Sequence, residues 1–322
     1  MGSFFSSLFS SPKQDNDSEE AKKNEQDSKF DVFKYDGMSY QKMGKLNDAI
    51  RCYTQALLIK DDEEVLASLV TTYTMADRGD DALETVGRLI DLNPDAIEPR
   101  ISRANILFML DRDAEVVPDC EHILEIDPKN ALACYLIAKS KRTADDKIGA
   151  VADLTKAISF NAEFPAAFSL RAEILLDMMQ LDEALADAEE AIRLDPEEEN
   201  SYVLRGQIFE KMGNLEKAHD DYQKVLDLNP FNEKAAVNVG RLMILQKDFD
   251  GAIAFFDDAI DTNPNFAAAY AERGHAKKEK GDEKGALEDL KKSLELDPES
   301  EEAKKMNGKH SNFDDMYKGG IF

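Results

Sequence analysis

Proline recurs at intervals of 34 residues along most of this chain, and this spacing limits the possible fold more than any other feature. The prolines on this grid are Pro94, Pro128, Pro196, Pro230, Pro264 and Pro298. An Asn or Asp precedes each of them, and Asn161 stands before the one vacancy, at Ala162. Proline has no backbone N–H and disfavours the helical conformation in the residue before it, so a helix must end at each point. The spacing therefore predicts one helical unit that is repeated along the chain.

Counting back from each proline as place 32 divides residues 30–300 into eight repeats. Their ranges are 30–62, 63–96, 97–130, 131–164, 165–198, 199–232, 233–266 and 267–300. Place 8 is Gly or Ala in seven of the eight repeats, and place 20 is Ala in seven of eight. Small side chains at two fixed places are what two antiparallel helices need where their axes approach most closely. Large apolar residues such as Tyr53, Tyr222 and Phe256 share place 24, so each repeat is predicted to be a helical hairpin.

These repeats resemble the tetratricopeptide repeat family. The segments Phe168 to Ala172, Tyr202 to Gly206 and Tyr270 to Gly274 are similar to the first helix of that family. Trp is absent, and place 4, which is aromatic in the family, holds Arg100, Cys134 and Ala236 in three repeats. The resemblance implies an all-α fold, a right-handed α-solenoid of eight stacked helix-turn-helix repeats. Stacking also follows from physics, because a lone hairpin cannot bury its second face.

The two ends of the chain lie outside the repeats. Residues 1–29 are predicted to be a disordered tail, because residues 13–29 carry ten charges of both signs. Residues 301–322 are predicted to form a capping helix and a C-terminal tail. The apolar residues Phe4, Phe5, Leu8 and Phe9 are too diluted by serine for a secretory signal. With the acylation pattern of Met1, Gly2 and Ser6, they leave a weak membrane contact as an alternative function of this end.

The charge of the chain limits its partners and its compartment. The 66 acidic and 40 basic residues give a formal net charge of −26, which argues against nucleic-acid binding because phosphates would be repelled. Basic partners would be attracted instead. Three cysteines without paired spacing fit a reducing compartment, so we predict a cytoplasmic protein.

Short motifs that carry chemistry are missing from the sequence. It has no glycine-rich phosphate loop, no G-x-S-x-G elbow, no HExxH and no CxxC pair. Cys120 and His122 are two residues apart and do not share a helix face, so they make a poor metal pair. Cys120 and Cys134 fall on packing places and are predicted to be buried thiols. We therefore expect no enzyme activity, no cofactor and no metal site.

In the family, places 2, 5, 6, 9, 12 and 13 of the first helix face the concave groove. On this sequence the resemblance assigns the following residues to that surface: Ile101, Asn105, Phe108, Met109, Tyr135, Leu136, Lys139, Arg142, Leu170, Glu173, Leu176, Val203, Leu204, Gln207, Val237, Asn238, Arg241, Ile244 and Leu245. Apolar residues that recur on such a face in five repeats indicate a binding strip. The alternative is that part of this strip packs against the next helix.

The groove is the basis of the predicted function. Some members of the family bind a C-terminal carboxylate with Lys, Asn and Arg from successive repeats, but here Met38 replaces the asparagine that would accompany Lys34, and no three repeats complete the set. We predict a non-catalytic scaffold or adaptor that binds an apolar protein segment with basic flanks. The alternative is a peripheral membrane-associated assembly factor or co-chaperone-like subunit, tethered by the Phe-rich N-terminus.

Repeat three breaks the pattern of the second helix. Pro118 lies at place 22, inside the expected helix, where proline removes a hydrogen bond and crowds the preceding turn. Either the helix begins late, with Pro118 in its first turn, or it bends at this residue. Both arrangements predict looser packing between repeats three and four.

Overall fold

The computed structural model describes the backbone of residues 13–299 and the side chains of residues 22–299. Within this range the regular structure is sixteen α-helices and one short 3-10 helix, without a strand. The predicted all-α repeat fold is therefore confirmed. The helices divide between two compact units, residues 1–162 and residues 163–322.

The first unit contains eight α-helices, and the helices of each repeat pack against each other. They are α1 (Lys13–Lys42), α2 (Leu46–Leu57), α3 (Glu63–Met75), α4 (Gly79–Leu92), α5 (Ile97–Met109), α6 (Val117–Ile126), α7 (Ala131–Thr143) and α8 (Lys147–Phe160). Each pair also contacts the next, through α2 with α3, α4 with α5 and α6 with α7. The unit is thus a row of stacked hairpins with its apolar core between them.

The second unit repeats this arrangement with eight further helices. They are α9 (Pro165–Asp177), α10 (Leu181–Leu194), α11 (Glu199–Lys211), α12 (Leu215–Leu228), α13 (Glu233–Leu245), α14 (Phe249–Thr262), α15 (Ala267–Lys280) and α16 (Glu283–Leu296). Here too the second helix of each repeat packs on the first helix of the following one. From α3 to α15, first helices begin every 34 residues, at 63, 97, 131, 165, 199, 233 and 267.

Each second helix that precedes a proline of the grid ends at its Asn or Asp. Asn229, for example, has φ −141° and ψ 94°, an extended conformation that the following proline favours. Asn161 has nearly the same dihedral angles although Ala162 follows it. The end of α8 at Asn161 therefore does not require a following proline.

The first helix is longer than expected. α1 begins at Lys13, so residues 13–29, which we predicted to be disordered, are helical. Extending a helix that is already nucleated adds one hydrogen bond for each residue fixed, and residues 30–42 provide the nucleus because they pack on α2. The Glu25–Lys29 ion pair, 2.7 Å long, supports the added turns. Residues 1–12 and 300–322, with Phe4, Phe5, Leu8, Phe9 and the expected C-terminal cap, lie outside the described residues.

Repeat three takes the first of the two arrangements predicted for Pro118. Residues Asp113–Glu115 form a 3-10 helix, and α6 begins only at Val117, which places Pro118 in its first turn. A proline is well accommodated there, because the first N–H groups of a helix have no intrahelical partner. The second helix of this repeat is consequently ten residues long instead of fourteen. Looser packing at this point stays a prediction.

The turn within every repeat contains one residue in the left-handed conformation, always at place 15. Gly44, Gly213 and Gly281 fill this place in three repeats. Five other repeats place a larger residue there: Asp77, Asp111, Asp145, Met179 and Lys247. Only glycine adopts this conformation without steric cost, so the five positions carry local strain that the packed hairpin must offset.

The helices of a hairpin approach most closely where place 8 faces place 24. A methyl group at Gly206 would lie 2.5 Å from a ring carbon of Tyr222, and one at Gly37 would lie 2.6 Å from the ring of Tyr53. Repeat four, by contrast, pairs Ala138 with the smaller Leu154, and both are fully buried. An aromatic ring at place 24 therefore leaves room only for glycine at place 8, although glycine also faces Leu290 in repeat eight, at Gly274.

Replacing Gly206 by Ala tests this size rule. Alanine favours a helix over glycine by about 1 kcal/mol, yet overpacking against Tyr222 costs about 1–3 kcal/mol. We expect Gly206→Ala to lower the urea midpoint in the natural chain, and to leave or raise it in a Tyr222→Leu background. Circular dichroism at increasing urea concentration measures both effects.

Gly87 provides the matched control for this substitution. It lies in α4, and nothing stands within 4 Å of an added methyl group. Gly87→Ala should raise the urea midpoint, because only helix propensity changes there. If Gly206→Ala were stabilising in both backgrounds, the close approach would not determine the packing of this hairpin.

Four hairpins contain an Arg–Asp pair that joins their two helices, with the aspartate buried and the arginine half-buried, and we call these the buried pairs. The arginine is at place 7 and the aspartate at place 23, sixteen residues later. The pairs are Arg103–Asp119, Arg171–Asp187, Arg205–Asp221 and Arg273–Asp289. Arg205 donates from Nε and Nη2 to the two carboxylate oxygens of Asp221, at 2.9 and 2.7 Å. Such two-point contacts fix geometry as well as charge.

Two aspartates at place 23 have pKa values that are lowered by their cationic partners. Burial alone would raise the pKa of Asp289, but hydrogen bonds from Arg273 and Lys277 outweigh it and lower the pKa. In repeat four, where place 7 is Ile137, Lys141 and Lys156 lower the pKa of Asp153 in the same way against its burial. A lowered folded-state pKa means that these groups stabilise the fold at neutral pH. That stability is lost as the pH falls from the unfolded value, near 4, through the folded pKa.

Removing the arginine of a buried pair should lower the stability of the fold far more than removing the arginine of an exposed ion pair. Arg205→Met leaves the carboxylate of Asp221 buried without its partner, so we expect a loss of about 3 kcal/mol in the free energy of unfolding. Arg205→Met with Asp221→Leu should recover most of that loss, because no charge is then left buried. Urea unfolding of the three proteins gives the comparison.

Arg193 is the control, because its pair with Glu190 is exposed. Arg193→Met should cost less than about 1 kcal/mol. Equal losses for Arg193→Met and Arg205→Met would contradict a stabilising role of the buried pairs.

Candidate functional site

The residues assigned to the groove lie on the first helices of repeats three to seven. Helices α5 and α7 present them in the first unit, and α9, α11 and α13 in the second. Within each unit these helices follow one another at intervals of one repeat. Their side chains differ greatly in exposure, and this difference separates packing residues from surface residues.

In the first unit α5 and α7 meet at Phe108. The ammonium group of Lys139 lies 4.0 Å from the centre of the Phe108 ring, a cation–π contact between the two helices. Asn105 and Met109 on α5 and Arg142 on α7 are exposed beside it, and Met109 keeps 60% of its surface. We call Asn105, Phe108, Met109, Lys139 and Arg142 the α5–α7 patch. It combines apolar contact area with two cationic side chains.

Ile101 and Tyr135 belong to the base of this patch. Both are half-buried and pack with Phe108 against the core that surrounds Leu136. Leu136 itself is only 3% exposed. The core thus holds the exposed members of the patch on a fixed base.

Four residues that we expected to line the groove are buried. They are Leu136, Leu170, Val203 and Leu204. Val203 is 1% exposed and lies with Tyr222 and Val239 in a core shared by repeats six and seven. The burial of these four side chains agrees with the alternative interpretation, packing within the stack, and the groove assignment as a whole stays a prediction. Sequence periodicity could not separate the two, because both demand apolar residues on the same helix face.

In the second unit the remaining candidates are half-buried or exposed. Glu173, Leu176, Gln207, Val237, Asn238 and Ile244 are half-buried. Arg241 and Leu245 are exposed on α13. Leu245 is an exposed apolar residue at place 13, as Met109 is on α5. The two units therefore each present one strongly exposed apolar side chain on the predicted surface.

Arg241 forms part of a polar cluster with α15. It donates from Nε to Glu272 at 2.6 Å, and His275 Nδ1 lies 3.3 Å from the other oxygen of the same carboxylate. Burial alone would raise the pKa of Glu272, but the hydrogen bond with His275 and the charge of Arg241 outweigh it and lower the pKa. The predicted groove residue Arg241 thus forms an ion pair with the buried Glu272, which the sequence did not indicate.

Asn238 is another predicted groove residue on α13. Its amide nitrogen is buried without a hydrogen-bond partner among the described residues.

The cysteines are placed as packing residues. Cys52, Cys120 and Cys134 are all buried, as we predicted for the last two. Burial raises the pKa of the Cys120 thiol to about 12, which keeps it protonated at neutral pH. In the part of the chain that the structure describes, no group of three or more His, Cys, Asp or Glu side chains is arranged to hold a metal ion.

The helices that the structure describes were compared in length and apolar character with a membrane span, and none of them has the combination that crossing a bilayer requires. The Phe-rich segment at the N-terminus lies outside the described residues.

The sequence contains a signal for the buried pairs. Asp stands at place 23 in five of the eight repeats, and four of those repeats have Arg at place 7. A charged residue that recurs at one fixed place, next to the small residues of the helix contact, indicates a structural pair.

Family models agree with the helical pairs. Models described as tetratricopeptide repeat match residues 37–63, 166–198, 200–232 and 267–300. A curated relative, a STIP1 homologue protein of Dictyostelium discoideum, is 30% identical over 99 residues. This match covers 30% of the chain and 18% of the relative, so the chain spans less than a fifth of that protein.

Solved structures share the fold at low sequence identity. A tetratricopeptide repeat protein from Parabacteroides merdae matches with a TM-score of 0.60 and 17% identity, over 83% of this chain and 99% of its own. PilF from Pseudomonas aeruginosa matches with a TM-score of 0.55 and 18% identity, over 66% of this chain and 97% of its own. At this identity the solved structures show the fold alone, and the family models identify the repeats within the four ranges that they match. The chain contains tetratricopeptide repeats.

Proposed function

We propose that this protein is a non-catalytic adaptor that binds a segment of a partner protein on the surface of its first helices. Tetratricopeptide repeat proteins bind protein or peptide partners, and the family fold is generally non-catalytic. The α5–α7 patch is the observation that carries the proposal. It exposes Met109 beside Phe108 on a surface where a helix normally keeps polar residues.

The chemistry of the patch favours a segment with apolar side chains. Met109 is flexible and polarisable, which suits a surface that adapts to different apolar groups. Lys139 and Arg142 can donate hydrogen bonds to backbone carbonyls or to a carboxylate of the segment. Basic residues farther along the segment would be attracted by the net charge of −26. The proposed partner is therefore an apolar segment with basic flanks.

The repeat boundaries and the compartment belong to the same proposal. Eight repeats with the ranges given above would place the patch on repeats three and four. A cytoplasmic location is supported by three buried cysteines, none of which is in a disulfide.

A second candidate is a membrane-associated assembly factor or a co-chaperone-like subunit. Phe4, Phe5, Leu8 and Phe9 would provide the membrane contact, and the likeness to the STIP1 homologue supports a role in assisting other proteins. Flotation of the chain with liposomes, with and without residues 1–12, separates this candidate from a free adaptor.

A peptide selection tests the proposed adaptor. A phage library of random 12-residue peptides is selected on the full chain, and the enriched peptides are labelled and measured by fluorescence polarisation. We expect apolar residues flanked by Lys or Arg, and an approximately tenfold weaker affinity for Met109→Asp, as expected for a central contact. Met109 is exposed, so the substitution should leave the fold intact.

Ile148→Asp is the matched control. Ile148 is also a strongly exposed apolar residue of the first unit but lies on a second helix, α8. Its substitution should leave peptide affinity unchanged. Equal affinities of Met109→Asp and the natural chain would remove the patch from the binding surface.

A further inference from the structure

Repeat six differs from every other repeat in the turn that follows its second helix. Place 33 is polar in seven repeats: Asp62, Asp95, Lys129, Glu163, Glu197, Asn265 and Glu299. In repeat six it is Phe231, whose side chain is 74% exposed. An exposed aromatic residue at a place that is otherwise polar has no role in holding the repeat together.

The backbone around Phe231 is fixed by its neighbours. The Phe231 N–H donates to the side chain of Asn229 at 3.1 Å, and the Asn232 side chain accepts the N–H of Ala235 to cap α13. The turn thus presents the ring on a preorganised base, which reduces the entropy that binding would otherwise cost.

A cavity of about 380 Å³ lies beside this ring. Its apolar wall includes Leu226 from α12, Phe255 from α14 and Phe266 from the next turn. The volume falls within the range of about 300–1,000 Å³ that is typical of ligand pockets. None of its lining residues belongs to the groove assigned above, so this cavity is a separate surface of the second unit.

A second departure from the repeat pattern helps to form the cavity. Place 23, which is aspartate in five repeats and belongs to a buried Arg–Asp pair in four of them, is Phe255 in repeat seven. Its ring packs edge-on against Phe256, with the ring centres 5.6 Å apart. Repeat seven has therefore replaced a charged pairing residue by an aromatic wall that faces the cavity.

The charge at the cavity has one sign. Its lining includes the carboxylates of Glu233 and Asp258 and no basic side chain. Glu233 accepts a hydrogen bond from Asn263 at 2.9 Å. The carboxylate of Asp258 is exposed. Among the described residues it forms neither an ion pair nor a side-chain hydrogen bond. An apolar floor with an acidic rim complements an apolar group that is next to a cation.

We propose that this cavity, between the turn at Phe231 and helices α12 to α14, is a second binding site for a protein segment. The segment would insert one or two apolar side chains, at least one of them aromatic, between Phe231 and Phe255. A neighbouring Lys or Arg would pair with Asp258. The site is independent of the groove and would allow the chain to hold two segments at once.

Three blocked, fluorescein-labelled peptides test the site on the full chain: KFLK, EFLE and KSSK. Fluorescence polarisation should show at least about tenfold tighter binding of KFLK than of the other two, because only KFLK offers both the apolar groups and the cations. Phe231→Asn introduces the kind of residue found at place 33 of repeat seven, and should weaken KFLK binding about tenfold. Asp258→Lys should do the same by reversing the rim charge.

Two control variants locate the binding. Asp261→Lys makes the same charge change on α14 outside the cavity lining, and Ile148→Asp places a charge on α8, outside both proposed sites. Both should keep the KFLK affinity of the natural chain. Unchanged affinity in Phe231→Asn and Asp258→Lys would overturn the proposal, as would a loss of KFLK affinity that appears only in the groove variant Leu245→Asp. Because Phe231 and Asp258 are both exposed, circular dichroism should show the same helicity in all variants.

Discussion

Each helical hairpin of this protein has one face that it can bury only against the next hairpin, and the rest of the structure depends on that constraint. Asn/Asp-Pro stops end six of the eight second helices, at the interval that sets where the next first helix begins. Glycine or alanine at place 8 in seven of the eight repeats lets the two helices of a pair approach, and an aromatic ring at place 24 requires glycine there. A change of interval would move all these contacts out of register together.

The sequence predicted the helices well because their ends are encoded locally. Proline and the Asn or Asp before it act on the backbone of their own residues, so their effect does not depend on distant contacts. The extension of α1 to Lys13 was missed because a charged stretch that cannot fold alone can still continue a helix whose nucleus is packed elsewhere. The buried pairs, such as Arg205 with Asp221, were missed because pairing depends on which helix face meets which.

The candidate site was predicted less completely, for a related reason. Burying a face against the next repeat and exposing it to a partner both select apolar residues, so Val203 and Met109 look alike in the sequence. Their exposures differ because the stack covers one and not the other. Departures from the repeat pattern were more informative than the pattern itself. Phe231 and Phe255 stand where other repeats carry polar residues, and they mark a surface that stacking does not explain.

Removal of one repeat tests the stacking constraint most directly. Deleting residues 199–232, one interval of 34, joins the end of repeat five to the start of repeat seven in the original register. We expect the shortened chain to keep the natural helicity per residue and to unfold cooperatively in urea. Deleting 199–215 alone leaves α12 without the helix it packs on, so we expect that chain to lose helicity and cooperative unfolding. If the two deletions were equally damaging, stacking in register would not be what holds this protein together.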